Sequence, residues 1–240
     1  MANKQTLRIM IPIYFLILFS VPILTYWGSY TVSVIAENKT PVQHKTLIID
    51  AGHGGVDGGA TSCTGIRESE INLQIASKLN DLFHLIGFRT IMVRTGDYSI
   101  HKTGNSISQI KISDLKERVK LVNETENAIL LSIHQNYYPE GRYHGAQVFY
   151  ADTYGSADLA ECLQKGFRIL DPKNNRMSKK ADGIYLMQNV HCTGILVECG
   201  FLSNPKEESL LRSNDYQNQL CAVIASVCST YLHEKAVKFS

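Results

Sequence analysis

Hydrophobic and polar positions change their spacing repeatedly between residues 45 and 234. Short apolar runs with polar or glycine residues at their ends are typical of buried strands, and apolar residues three or four apart are typical of helices with one packed face. The runs predict strands in the segments KTLIID (residues 45–50), FRTIMV (88–93), AILLSI (128–133), GAQVFY (145–150), GIYLM (183–187) and GILVE (194–198).

Helices are predicted between and after these strands. The first, SEINLQIASKLNDLFHLI, stops at Gly87, because glycine favours the end of a helix. The second, ISDLKERVKLVNET, follows a polar loop over residues 96–109, with Ser113 or Asp114 near its predicted cap. Further helices are predicted over residues 156–170, 206–212 and 214–234.

The alternation of strands and helices indicates an α/β fold. Strands of a parallel sheet that is covered on both faces read as continuous apolar runs, as most of these strands do. We therefore predict one domain over residues 45–234, with a twisted, mostly parallel sheet of about six strands flanked by helices on both faces.

Residues 1–36 differ in composition from the rest of the chain. After Lys4 and Arg8, residues 9–36 carry no charged side chain, and about 20 apolar residues are enough to span a bilayer. We favour a membrane anchor over a cleaved signal segment. Because positive residues before such a segment stay inside, the rest of the chain is expected to be exported, with residues 37–44 as a polar linker.

Composition narrows the class of protein only a little. A length of 240 residues suits one sizeable domain besides the apolar segment. The net charge of +2 gives no reason to expect a nucleic-acid partner. None of the six cysteines forms a Cys-x-x-Cys pair, so a structural zinc knuckle is not predicted.

Polar side chains follow several of the predicted strands. His53 comes after the first strand, His134 ends LLSIH, and Glu198 ends GILVE. Glu68 lies at the start of the first helix. Ligands of open α/β sheets bind beyond the carboxyl ends of the strands, so we expect these four side chains to lie close together.

Two histidines and one carboxylate are a known ligand set for catalytic zinc, which keeps one position for water. We predict that His53, Glu68 and His134 bind zinc and that Glu198 is the base that handles protons. The glycines around His53 allow a sharp turn. Each residue alone has a simpler interpretation: a histidine as a hydrogen-bonded turn residue, and Glu68 as a carboxylate favoured by the helix dipole. The four together favour the metal site.

Four other polar residues are interpreted separately. Asp50 and Asp57 are candidates for the second partner of a ligating histidine. Asn136 either orients His134 or is an ordinary turn residue. Arg118 is interpreted as part of a solvated helix face, because lysines lie close to it in sequence.

The motifs IIDAGHGGVDGGA, GIRESEINL, LLSIHQN and ILVECGFLSNPKEESLL closely resemble the zinc-dependent N-acetylmuramoyl-L-alanine amidases of the bacterial cell wall. The resemblance covers about residues 45–234 and implies zinc at the matching residues His53, Glu68 and His134, with Glu198 as the catalytic glutamate. The segments ISDLKERVKLVN and GIYLMQN are most similar to the germination-specific amidases of spore-forming bacteria. Ala51 departs from the proline that the family commonly has.

The resemblance implies a reaction, a location and partners. The reaction is hydrolysis of the amide between the lactyl group of N-acetylmuramic acid and the L-alanine of the stem peptide. In the spore subfamily this step precedes muramic-δ-lactam formation, which implies a place in the spore cortex compartment of the cell envelope. The implied partners are peptidoglycan, the membrane through the N-terminal segment, and an accessory activating or targeting protein.

Two alternatives keep the same residues. Another zinc peptidase or carboxypeptidase of peptidoglycan could use the same His, Glu, His set. A catalytically inactive wall-binding protein could keep the fold, but binding alone does not need the spare carboxylate of Glu198 beside a metal.

Overall fold

A mixed sheet forms the centre of the described structure, a computed structural model that describes residues 45–238. The anchor and linker expected over residues 1–44 lie outside the described residues. Within those described, the sheet has six strands in the order β2-β1-β3-β6-β4-β5. Every neighbouring pair is parallel except β4 and β6. The strands are β1 (Thr46–Ala51), β2 (Arg89–Met92), β3 (Ala128–Asn136), β4 (Gln147–Tyr150), β5 (Lys179–Lys180) and β6 (Thr193–Phe201).

Helices cover both faces of this sheet, as the sequence predicts. Three of them, α1, α3 and α6, pack together on one face, and α2 and α4 lie on the other. Helix α5, which is seven residues long, follows β6. Within residues 45–238, no helix combines the length and the apolar composition that crossing a bilayer requires. The helices are α1 (Glu68–Leu85), α2 (Ile107–Glu124), α3 (Ser156–Gly166), α4 (Tyr185–Asn189), α5 (Pro205–Leu211) and α6 (Asn214–Lys238).

Two hydrophobic cores explain the continuous apolar runs of the central strands. Ile48, Leu130 and Leu196 point into the smaller core, beneath α2 and α4. Their neighbours Leu47 and Ile49 point into the larger core, beneath α1, α3 and α6. Successive strand residues face opposite sides of a sheet, so a strand covered on both sides must be apolar at every position.

One predicted strand is wrong. The segment GIYLM contains the start of helix α4, and its place in the six-stranded sheet is taken by the two-residue strand β5. Gly183 has a φ of +80°, which turns the chain before the helix. Leu186 and Val190, one helical turn apart, are both buried in the smaller core. So short an apolar run does not separate a strand from a single helical turn.

Helix α2 begins five positions before its predicted start. Its cap is Ser106, whose side chain accepts a hydrogen bond from the backbone of Gln109 at 3.3 Å. The first turn of the helix does not continue the buried apolar face, because its first residue, Ile107, is exposed. Ser113 and Asp114 are not caps: Asp114 accepts from the backbone of Ile100 at 2.7 Å and so holds the preceding loop against the helix.

Arg118 is buried, so its assignment to a solvated helix face is wrong. Its side chain is 2% exposed and forms ion pairs with Asp50 and with Asp114, the latter at 2.6 Å. It also donates to the carbonyls of Ala51 at 3.0 Å and His53 at 2.7 Å. Burial opposes the charge, but the two carboxylates outweigh it and raise the pKa of Arg118. Helix α2 is thereby attached to the end of β1.

A second buried guanidinium, that of Arg94, also holds this turn. It donates to the carbonyls of Ala51 at 2.8 Å and Gly52 at 3.0 Å. It also donates to the carbonyl of Ser69 at 2.8 Å, at the start of α1. The two arginines therefore bind every carbonyl from Ala51 to His53.

We expect the substitution Arg118→Met to lower the free energy of unfolding by about 3–5 kcal/mol, because it leaves the carboxylates of Asp50 and Asp114 buried without their cation. Denaturant unfolding followed by circular dichroism measures this loss. The matched control is Lys116→Met on the exposed side of the same helix, which should stay within about 0.5 kcal/mol of the wild type. Equal losses in the two variants would contradict the role given to Arg118.

Candidate metal centre

The register of the sheet aligns the candidate residues in a row. His134 of β3 pairs with Glu198 of β6, and Glu198 pairs with Gln147 of β4. Both predicted site residues lie inside their strands rather than just after them, because β3 continues to Asn136 and β6 to Phe201. Residues directly opposite one another share one face of a sheet, so the row brings segments from distant parts of the chain to one rim.

His53 stands beside this row in a rare backbone conformation. Its φ is +62°, a left-handed value that few residues other than glycine adopt. Its Nδ1 lies 2.9 Å from Asp57 Oδ2, and its Nε2 lies 3.2 Å from Glu68 Oε2. Asp57 thus has the contact predicted for the second partner of a ligating histidine, and Nε2 is left to face the candidate metal position. Asp50 does not have this role: it binds Arg118 and, at 2.6 Å, Ser132.

Glu68 lies between the two histidines. Its Oε1 is 3.0 Å from His134 Nδ1, and it also accepts from the backbone of Gln135 at 3.1 Å and the side chain of Asn72 at 3.2 Å. Its Oε2 accepts from the backbone of Ala60 at 3.0 Å. These bonds fix both carboxylate oxygens, so that Glu68 is held in place independently of the histidines.

The cluster formed by His53, Glu68 and His134 fits a metal ion. One ligand atom from each lies within 4.8 Å of the others. Burial works against charge at His53, but its contacts with Asp57 and Glu68 prevail and raise the pKa of His53 to about 9. Burial likewise opposes ionisation of Glu68, yet the two histidines lower the pKa of Glu68 far below its usual range. The carboxylates of Asp57 and Glu68 thus stabilise positive charge beside the two histidines, and a cation site requires such an environment.

Gly52 provides the space for His134. A Cβ at Gly52 would come within 2.2 Å of the His134 ring. Its importance is therefore steric and concerns a ligand ring, whereas the sequence predicted that the glycines around His53 make a sharp turn and leave space for the metal and the substrate. A glycine that faces a ligand across a sheet cannot be recognised until the pairing of the strands is known.

Glu198 differs from the other acidic residues of the site. Among the described residues, its buried Oε2 has no hydrogen-bond partner. Burial raises the pKa of Glu198 to about 7. A carboxyl group with a pKa near neutrality can both accept and donate a proton, which is what a general base and acid must do.

Several supporting residues were missed from the sequence. Arg94, Asn72 and Gln135 are buried beside the cluster. Asn72 donates to Gly52 O at 3.1 Å and accepts from Gln135 Nε2 at 3.1 Å, which joins β1, α1 and β3. Its spacing of four residues from Glu68 on α1 was the available signal, because such pairs are neighbours on a helix.

Comparison with known proteins gives matches over most of the described chain. A sequence profile of the family described as N-acetylmuramoyl-L-alanine amidase matches residues 47–228. The germination-specific N-acetylmuramoyl-L-alanine amidase of Bacillus subtilis is 37% identical over 197 residues, which cover 81% of this chain and 83% of that protein.

Solved structures of amidases are also similar to this chain. The CwlD amidase of Clostridioides difficile, solved in complex with the GerS lipoprotein, is 37% identical, with a TM-score of 0.76 over 79% of this chain and 98% of that one. An N-acetylmuramoyl-L-alanine amidase of Clostridium difficile 630 is 31% identical, with a TM-score of 0.70 over 80% of this chain and 99% of the other. The resemblance drawn from the motifs is confirmed.

We expect the purified protein to bind about one zinc ion per chain, since three ligands converge on one position. His134→Ala should lose this zinc after dialysis, because two remaining ligands hold it poorly. Metal content measured by mass spectrometry tests this. The control is His191→Ala, which removes an exposed histidine outside the cluster and should keep the metal. Full zinc content in His134→Ala would exclude it as a ligand.

Gly52→Ala should weaken zinc binding by roughly 10- to 100-fold, the usual effect of disturbing the support of a ligand, because the new methyl group displaces the His134 ring. Competition with a chromogenic chelator measures the affinity. Gly194→Ala is the matched control in the same sheet, since a Cβ there meets its nearest neighbour at an ordinary 3.4 Å. Unchanged affinity in Gly52→Ala would show that the ring does not need this space.

Proposed function

Because this chain belongs to the N-acetylmuramoyl-L-alanine amidase family, we propose that it cleaves peptidoglycan by zinc-dependent hydrolysis. His53, Glu68 and His134 hold the metal, and Glu198 carries the proton. The bond that is cleaved joins the lactyl group of N-acetylmuramic acid to the L-alanine of the stem peptide. The products are a glycan with free lactyl carboxylates and an intact stem peptide.

The observation that carries the proposal is the shielded, unpartnered Oε2 of Glu198, next to a three-residue cluster suited to a cation. A buried carboxylate without a hydrogen bond is costly. A protein that only binds its ligand has no need of such a group. A hydrolase does, because the proton taken from water must be carried to the leaving amine.

Zinc, when bound, activates water and polarises the carbonyl that is attacked. Glu198 accepts a proton from the attacking water, and the oxygen of this water forms a bond to the lactyl carbonyl carbon. When the bond from that carbon to nitrogen breaks, Glu198 gives the proton to the alanine nitrogen. Asp57 keeps His53 oriented, and Asn72 with Gln135 keeps Glu68 in place.

We extend the proposal to a role in spores. The Bacillus subtilis relative is named as germination-specific, and a likeness of 37% identity over 81% of the chain supports the same role here. We propose that the product is a precursor of muramic-δ-lactam in the spore cortex and that the enzyme works in the cell envelope. Because the CwlD structure was solved with the GerS lipoprotein, we also propose an accessory protein partner.

Products released from purified peptidoglycan test the reaction. We expect the full chain to release whole stem peptides with a free L-alanine amine, identified by mass spectrometry. Release should stop with a zinc chelator and return when zinc is added. Release of single carboxyl-terminal residues instead would indicate a carboxypeptidase. No release in the presence of bound zinc and a candidate accessory protein would indicate a wall-binding role.

Glu198→Gln should lower kcat by roughly 10²- to 10⁴-fold, the usual contribution of a general base, while zinc content stays unchanged. Stem-peptide release and metal content are measured on the same preparation. Glu70→Gln is the matched control, since Glu70 is an exposed carboxylate on α1, and it should keep full activity. Wild-type activity in Glu198→Gln would remove it from the mechanism.

A further inference from the structure

A cleft lies beyond Gln147, where the row of His134, Glu198 and Gln147 ends. Its cavity volume is about 390 Å³. Its walls combine cationic, aromatic and amide side chains, from Arg142, Tyr143, His144, Asn175 and Arg176. Nothing in the zinc and proton chemistry uses these residues.

Arg176 connects this cleft to the reacting centre. Its Nη1 donates to Gln147 Oε1 at 3.0 Å, and Gln147 pairs with Glu198 across β4 and β6. Adjacent strands are about 4.8 Å apart, and the hydrogen bond adds its own length. The guanidinium therefore lies on the order of 8 Å from Glu198 along the row.

The Arg176 guanidinium is held in one orientation. Its Nε donates to the carbonyl of His144 at 2.7 Å, and its carbon lies 4.5 Å from the centre of the Phe201 ring. Phe201 is the last residue of β6 and is buried. A guanidinium fixed by stacking and by two hydrogen bonds loses little freedom when it binds a further partner.

Within residues 45–234, Arg176 forms no ion pair, and the nearby charge of Glu207 only partly offsets the burial that lowers the pKa of Arg176. No described carboxylate lies within ion-pair distance of it. Glu207 accepts from the backbones of Gly145 and Phe201, each at 2.8 Å. Arg142, in contrast, forms an ion pair with Glu140 at 2.8 Å. The Nη2 of Arg176 has no hydrogen bond among these residues, so donors remain for an anion that enters the cleft.

We propose that Arg176 binds a carboxylate of the stem peptide, the α-carboxylate of the D-glutamate that follows L-alanine. This inference rests on the proposed amidase function. In an extended peptide, two residues span about 7 Å, which is comparable with the distance from Glu198 to Arg176. The stem peptide then runs from the metal centre across β6 towards β4.

The chemistry of Arg176 favours the peptide over the glycan on this side of the site. The sugar rings of peptidoglycan carry hydroxyl and acetamido groups, which are neutral. A planar guanidinium is suited to the two oxygens of a carboxylate, and charge-assisted bonds of this kind are about twice as strong as neutral ones. The cleft thus selects substrates by the charge of the second stem residue.

Two small substrates test the proposal. They are N-acetylmuramoyl-L-alanyl-D-glutamate and its α-amide, N-acetylmuramoyl-L-alanyl-D-isoglutamine, which differ only in that carboxylate. The wild type should cleave the acid with a KM roughly 10- to 100-fold lower than the amide, the range for a hydrogen bond to a charged group. Arg176→Met should lose this preference, with KM for the acid rising to the value for the amide and kcat little changed.

Binding provides a second readout that does not need turnover. Calorimetry with the zinc-loaded Glu198→Gln protein should show the same acid-over-amide preference, which the added Arg176→Met substitution removes and Arg176→Lys partly keeps. Arg142→Met is the matched control from the same cleft and should keep the wild-type preference. Circular dichroism and zinc content confirm that each variant is folded.

The two proposals fail in different ways. If the wild type does not release L-alanyl peptides from either substrate or from peptidoglycan, the amidase function fails. If it releases them but treats acid and amide alike, or if Arg176→Met keeps the preference, the carboxylate site is wrong while the amidase function stands.

Discussion

The geometry of the site depends on how two buried guanidiniums hold one short turn. Arg94, which follows β2, and Arg118, on α2, both reach the end of β1 and bind the carbonyls of residues 51–53. His53 is thereby fixed in a left-handed conformation that its side chain alone would not favour. Arg118 also brings α2, and Arg94 brings the first residues of α1, to the same point. One set of polar contacts thus connects the sheet, two helices and a candidate metal ligand.

The remaining residues of the site follow from strand pairing. Once β3, β6 and β4 are in register, His134, Glu198 and Gln147 lie side by side without any loop having to place them. A shift of one residue would turn each of them to the opposite face, so the apolar cores that fix the register also fix the chemistry. This is why a site assembled from distant segments can be rigid, as catalysis by positioned groups requires.

The sequence was sufficient to predict an α/β fold and to predict that the four candidate site residues lie close together. Histidine and glutamate residues near the ends of apolar strands are a local signal, which can be read without knowing how the strands pair. The sequence was insufficient wherever the role of a residue depended on its contacts with residues far away along the chain. Whether Arg118 is buried depends on Asp50 and the turn after β1, neither of which α2 itself reveals. The function of Gly52 depends on a ring from another strand. The apolar segment that forms α4 carries no periodicity long enough to separate a helical turn from a strand.

The reversed direction of β4 has a consequence for the evolution of this enzyme. Because β4 runs antiparallel to β6 while β3 runs parallel to it, β3 ends and β4 begins at the same rim. The connection over residues 137–146 therefore leaves and re-enters the sheet at the rim that carries the candidate metal centre. Insertions or deletions in it can reshape the cleft that Arg142, Tyr143 and His144 help to line, while the strands of the candidate metal centre stay unchanged. New substrate preferences can thus arise in this connection without loss of the catalytic machinery.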